Sequence, residues 1–187
     1  MGNVCECLLG GTPRRDEPLY WNGNINWIAS GKVNEFRISK PSEKITELGY
    51  KNTSTYLLPK NTTVLAITGA TMGQVSILNI DACTNQSVVG ILENDTIKTE
   101  FIYHTIITSL KGLLNQKAGA AQPHINKENV KEISFALPPT NILKSYYAMV
   151  HPLFEKILEN ETQNVHLVEL RDWLLPMLMN GQATIDD

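Results

Sequence analysis

Two adjacent arginines, Arg14 and Arg15, follow a Thr12-Pro13 turn. A guanidinium presents a planar fork of donors, so it suits a phosphate or the major-groove edge of guanine. The same pair fits a solvated loop equally well, and Thr12 adds a hydroxyl beside it. Lys32, next to Ser30-Gly31, reads as a phosphate contact or as a charge facing only solvent. Thr68 and Thr71 go with the run Gly69-Ala70-Thr71-Met72-Gly73, where hydroxyls could bond base edges at a loop tip. Lys117, Gln122 and His124 fall in or near the small-residue stretch Ala118-Gly119-Ala120-Ala121, where a backbone can approach a ligand closely. Glutamine suits adenine and lysine suits phosphate. His124 also reads as a structural histidine satisfied within its own fold.

Other chemistry is looked for and not found. No Gly-x-Ser-x-Gly is present for a nucleophile elbow, and no His-Glu-x-x-His for a metal hydrolase. The one Pro-Pro, in Leu137-Pro138-Pro139-Thr140, lacks the polar and aromatic neighbours that hold a flipped base for methylation. The 69–73 run could cradle an anion with its amides, but it reads more simply as a hairpin turn needing glycine at positive φ. Cys5, Cys7 and Cys83 make neither a zinc spacing nor a disulfide framework. They read as three free thiols in a reducing cytoplasm. The expectation is a chain without catalysis, cofactor or metal of its own.

These residues must be positioned by a core, and the pattern predicts one. Gly2 to Leu9 reads as a short helix or turn. Asn22-Gly23-Asn24 reads as a tight turn feeding a strand from Ile25 to Ala29. Ser42 to Tyr50 reads as a helix capped by Ser42. Strands are expected at Thr63–Thr68, Gln74–Asn79, Gln86–Leu92 and Ile133–Leu137. An amphipathic helix is expected at Thr99–Leu114, and one helical turn at Lys127–Lys131. Trp21 and Trp27 read as core rather than base-stacking platforms, and Asn85 as pinning a turn. The fold class is mixed α/β over residues 1–139, followed by a long helical segment over 140–187.

Composition and charge narrow the function further. The chain has 187 residues and is 42% hydrophobic, enough for a sizeable core. It has no run of 18 apolar residues, so no membrane span is expected. The N-terminus has no charged start followed by an apolar stretch, so no signal peptide is expected. The net charge of −3 is unevenly spread. Residues 1–138 carry 13 Lys/Arg against 12 Asp/Glu, whereas 139–187 carry 3 against 7. Residues 12–60 carry 8 against 5. This is no polybasic arm, so any DNA contact must rest on a local patch.

In the last quarter, apolar residues fall at Tyr146, Val150, Leu153, Ile157, Leu167, Leu174 and Leu178. Steps of three and four mark the seam of a helix that faces another helix. Asn160, Asn164 and Arg171 lie on the same seam, where polar residues fix register at some loss of stability. About 40 residues of helix would extend ~60 Å. Pro152 and Pro176 leave open the alternative of two shorter helices.

Several motifs in this order resemble the specificity subunit of type I restriction–modification enzymes. They are Gly10-Gly11-Thr12-Pro13, Tyr20-Trp21-Asn22-Gly23, Ile25 with Trp27-Ile28, and Leu57-Leu58-Pro59. The 69–73 run, Thr84-Asn85-Gln86 and Ala121-Gln122-Pro123-His124-Ile125 follow. Leu137-Pro138-Pro139, Leu170-Arg171-Asp172-Trp173-Leu174-Leu175-Pro176 and Asn180-Gly181 complete the set. The resemblance implies a target recognition domain that reads double-stranded DNA and a long helix that pairs as an antiparallel coiled coil. It implies no catalysis in this subunit. DNA adenine methyltransferase (modification) subunits would use S-adenosylmethionine, and a restriction subunit would use ATP. A full specificity subunit carries two such domains and two helices, so this chain reads as a half-length form. A cytoplasmic homodimer on a bipartite, palindromic site is the expectation. A protein-interaction adaptor or truncated subunit without DNA reading is the alternative.

Overall fold

The computed structural model describes residues 1–117 and 125–182; for Lys111 and residues 113–117 only the backbone is described. The chain divides into a unit of Met1–Leu143 and a unit of Lys144–Asp187.

The first unit is built on two sheets. Strands β1 (Cys7–Leu9), β8 (Val88–Ile91), β5 (Thr63–Ala66), β6 (Val75–Leu78) and β3 (Arg37–Ile38) form the larger, in that spatial order. All neighbours in it are antiparallel except β6 with β3, which are parallel. Its strands are apolar on both faces because both faces are covered. On one side Leu65, Val89 and Ile91 pack with Ile102 and Ile106 of α2 (Thr99–Lys117) and Val130 of α3 (Lys127–Lys131). On the other, Val64, Ala66 and Val88 pack with Ile28, Ile38 and Leu58. The alternation Val64, Leu65, Ala66 therefore feeds two cores rather than a core and solvent. Gly90 has no side chain because Leu58 lies against it: a Cβ there would meet Leu58 Cδ1 at 2.6 Å.

The smaller sheet has the order β4 (Glu43–Ile45), β2 (Trp21–Ile28), β7 (Cys83–Thr84). Trp27, Ile45 and Cys83 are buried on one face of it. Asn22-Gly23-Asn24 is not the turn expected from its sequence. It is a bulge inside β2, with Trp21 and Ile25 both opposite Ile45 and Asn22 at φ +62°. Gly23 fits because its Cα lies flat on Ile45 and Thr46.

Three further expectations are corrected. Ser42–Tyr50 is a strand, β4, and then a short helix, α1 (Glu47–Lys51). Thr46 caps that helix, its hydroxyl accepting from Gly49 N at 3.1 Å. Ser42 Oγ instead accepts from Ala29 N at 3.0 Å, at the end of the sheet. Cys7–Leu9 is a strand because it pairs with β8, whereas only the first residues form a turn. Residues 133–139 form no ladder; Lys131 O and Ile133 O accept from the Met1 ammonium instead. The 69–73 turn, the 127–131 helical turn and the strands at 63–66, 75–78 and 88–91 fall where the pattern puts them.

The last element is one unbroken helix, α4 (Thr140–Met179), with Pro152 and Pro176 inside it. Its first turn follows Pro138-Pro139, and Leu143 N donates to Pro139 O at 3.1 Å. Its end is a Schellman turn. Gly181 sits at φ +67°, its N–H reaching Leu178 O, while Gln182 N–H reaches Met177 O.

Candidate nucleic-acid interface

The segment from Gly10 to Asp16 is held by parts of the chain far away in sequence. Gly10 lies flat against Thr84 and Asn85, with no room for a Cβ. Its N–H donates to Val88 O at 3.1 Å, and Gly11 N–H to Thr84 O at 2.8 Å. Trp27, 2% exposed, donates its indole N–H to Gly11 O at 3.1 Å. The Thr12 hydroxyl donates to Gln86 Oε1. Trp21 donates its indole N–H to Arg14 O at 3.0 Å. The loop is thus a rigid platform, a condition for reading a ligand without a large ordering cost.

The two arginines stand in different situations. The Arg15 guanidinium lies over Trp21, 3.8 Å from the ring centroid, and 5.0 Å from that of Trp27. It also pairs with Glu43 of β4 at 2.6 Å. The two rings meet edge to face at 5.3 Å. Arg15 therefore ties the loop to the small sheet. Arg14 is 75% exposed and, among the described residues, pairs only with nearby Asp16, at 2.6 Å. That hydrogen bond raises the guanidinium pKa and lowers the carboxyl pKa. A local exposed pair of this kind is easily exchanged for an incoming phosphate.

The other candidates are placed as follows. Ser30 Oγ accepts from Asn85 Nδ2 at 3.4 Å. Asn85 also accepts from Ser87 N at 3.2 Å, so it pins a turn as expected. Lys32, two residues on, pairs with Glu35 at 2.7 Å. Thr68 and Thr71 are half-buried at the β5–β6 turn. Ile67 N–H donates to Ser87 O at 2.9 Å, which brings that turn to the 84–87 segment. So Gly11, Thr12, Ser30 and the start of the 68–71 turn are connected through one junction, 84–87, while Arg14 and Arg15 are held by Asp16, Trp21 and Glu43. Gln122 and His124 lie outside the described residues, as does the side chain of Lys117.

Glu43 and Gln86 hold this site without having been weighed as site residues from sequence, and Trp21, read there as core, holds it too. No local signal marks them, because each acts on a residue 7 to 74 positions away. Lys44, exposed and opposite Asn26 in the β2–β4 ladder, is a further cation on this sheet. The thiols are all buried and free, and burial pushes Cys5 and Cys83 up to about 11. A thiol so poorly ionised is no nucleophile at neutral pH. Among the described residues no cluster of His, Cys, Asp and Glu is arranged to hold a metal, and no helix is long and apolar enough to cross a membrane.

Residues 1–167 match the model of the type I restriction modification DNA specificity domain. The chain is 26% identical over 186 residues to the type I restriction enzyme HindI specificity subunit of Haemophilus influenzae, covering 97% of this chain and 40% of that protein. It is 22% identical over 190 residues to the MjaIX specificity subunit of Methanocaldococcus jannaschii, covering 100% and 44%. The chain thus spans about two fifths of the length of the curated relatives it matches. In fold it is similar to the crystal structure of a type I restriction–modification S subunit from M. genitalium, with a TM-score of 0.66 at 15% identity, over 93% of this chain and 43% of that one.

Proposed function

The chain belongs to the family of type I restriction modification DNA specificity domains, and from that premise we propose that it is the sequence-reading subunit of a type I restriction–modification system. The match over residues 1–167 carries this reading, because it takes in the whole two-sheet unit and most of α4. The first unit reads one half-site of double-stranded DNA through the platform described above. Arg14 is the exposed cation of that platform, while Thr12, Arg15, Ser30, Lys32, Thr68 and Thr71 shape or flank it. Lys117, Gln122 and His124 remain candidates for the same surface. The subunit itself performs no chemistry. Adenine methyltransferase subunits methylate with S-adenosylmethionine, and a restriction subunit uses ATP, all in the cytoplasm.

The helix supplies symmetry. Val150, Leu153, Ile157, Leu167, Leu174 and Leu178 lie on one seam, and Leu153 and Leu167 are 62% and 61% exposed. Covering that seam with a second copy, antiparallel, gives an isologous dimer with one reader at each end. Two identical readers require inverted half-sites. A helix of ~60 Å limits their separation to about 18 base pairs at ~3.4 Å each.

The test is co-expression with an adenine methyltransferase subunit, followed by mapping of methylated adenines. An interrupted palindrome is expected. The pure chain should transfer no methyl group from labelled S-adenosylmethionine. A complex that forms without binding any duplex would favour the adaptor reading and overturn this one.

A further inference from the structure

The seam of α4 is apolar at both ends and polar in the middle, and this order carries information about its partner. In heptad terms the seam runs Tyr146, Val150, Leu153, Ile157, Asn160, Asn164, Leu167, Arg171, Leu174, Leu178, in steps of three and four. Asn160, Asn164 and Arg171 are exposed. A parallel pairing in register would set Arg171 against Arg171 of the second copy, placing two like charges together. An antiparallel pairing avoids this, and each choice of dyad then fixes every layer.

We propose that the two copies cross with their dyad at the level of Thr162, so that Asn160 of each meets Asn164 of the other and these four amides set the register. This rests on the homodimer reading given above. In that register Ile157 faces Leu167, Val150 faces Leu174, and Tyr146 faces Leu178. The one mixed layer is Leu153 with Arg171, where an arginine stem can lie over leucine with its head in water. Flanking positions agree: Met149 falls beside Met177, and Gln163 beside Gln163 of the other copy.

A shift of one heptad in either direction destroys the match. One shift sets Asn164 against Leu167 and Arg171 against Asn160. The other sets Asn164 against Leu153 and Ile157 against Asn160. Each leaves amides in apolar layers, without partners for their hydrogen bonds. Amides facing amides give up some stability relative to leucine but admit a single alignment.

The experiment uses the full chain in single-cysteine-added forms, mixed in pairs with different tags and oxidised. A disulfide needs Cα atoms within about 7 Å. One heptad displaces the helices by about 10.5 Å, and Ile157 lies about 15 Å from its own copy along the axis. Ile157→Cys mixed with Leu167→Cys should therefore cross-link. Ile157→Cys with Leu174→Cys, and Val150→Cys with Leu167→Cys, should not. Light scattering on the parent reports the dimer separately. A dimer that cross-links only in a shifted pair overturns this register and leaves the homodimer standing. A monomer overturns both. In a second variant, Asn160→Leu with Asn164→Leu should hold the dimer and add cross-links in the shifted pairs. If the pattern stays confined to positions 157 and 167, the asparagines do not set the register.

Discussion

The loop at 10–16 and the helix at 140–179 solve opposite problems. In the loop, Gly11, Thr12 and the Arg14 carbonyl are bonded to distant parts of the chain, and the Arg14 guanidinium pairs with nearby Asp16. In the helix, large apolar side chains such as Leu153, Leu167 and Trp173 face solvent. The first arrangement spends its contacts on rigidity and leaves a charge available for an anion. The second leaves surface available for another apolar surface. A reader of DNA needs the former and a spacer that must find its mate needs the latter.

The sharpest way to break the contrast is to charge the helix seam. Ile157→Glu with Leu167→Glu should abolish the dimer entirely in light scattering, while the circular dichroism and melting of the first unit stay unchanged. A parent that is monomeric at tens of micromolar, and unmoved by these changes, would mean that the seam has no mate.

Burial provides the next comparison. Leu65 lies fully buried beneath α2, so Leu65→Ala should cost about 2–5 kcal/mol in urea unfolding. Leu153→Ala should leave the urea midpoint of the first unit where it was and weaken only self-association. Similar losses in both variants would contradict the assignment of the two leucines to different jobs.

The two arginines sharpen it further. Arg15→Ala removes a cation–π contact and a partly exposed ion pair, together worth about 1 kcal/mol. It should lower Tm by about 2–4 °C. Arg14→Ala should leave Tm alone. Within the assembled complex it should weaken DNA binding on all sequences and reduce the salt slope by about one unit. A lowered Tm for Arg14→Ala with an unchanged salt slope would reverse their roles.

The smallest effect concerns the thiols. With Cys5 and Cys83 at about 11, native protein at pH 8 should react with a disulfide reagent only on unfolding. Because burial raises these values, the thiolates form in the folded state only as pH approaches 11. Rapid labelling of the native chain at pH 8 would show that these side chains reach solvent.

How much was legible in the sequence depended on how local the cause was. The helix α4 could be read nearly to its ends, because forty residues of repeating pattern, a Pro-Pro start and an Asn-Gly stop are all local. The 69–73 turn was legible because Gly69 and Gly73 take positive φ, at 73° and 87°. Ser42–Tyr50 was misread because a short stretch fits either element, and β2 decides it by pairing with Glu43–Ile45. The Asn22-Gly23-Asn24 bulge was misread as a turn because its residues suit both, and only the register against Ile45 tells them apart. In the candidate site, sequence supplied the types of Arg14 and Arg15 but not their difference. That difference comes from Glu43, Trp21 and Trp27, which meet the guanidinium of Arg15, whereas Trp21 touches Arg14 only at its backbone carbonyl.

By itself, then, the amino-acid order determined what neighbours along the chain can settle: the long helix and its seam, the glycine turns, the motif order that marks the family. Tertiary structure decided which short stretches became strands, which cation was tied down, and that Thr84–Ser87 joins the pieces of the platform. The reason is physical. A helix closes its hydrogen bonds within four residues, whereas a strand or an ion pair takes its meaning from a partner that only folding brings near.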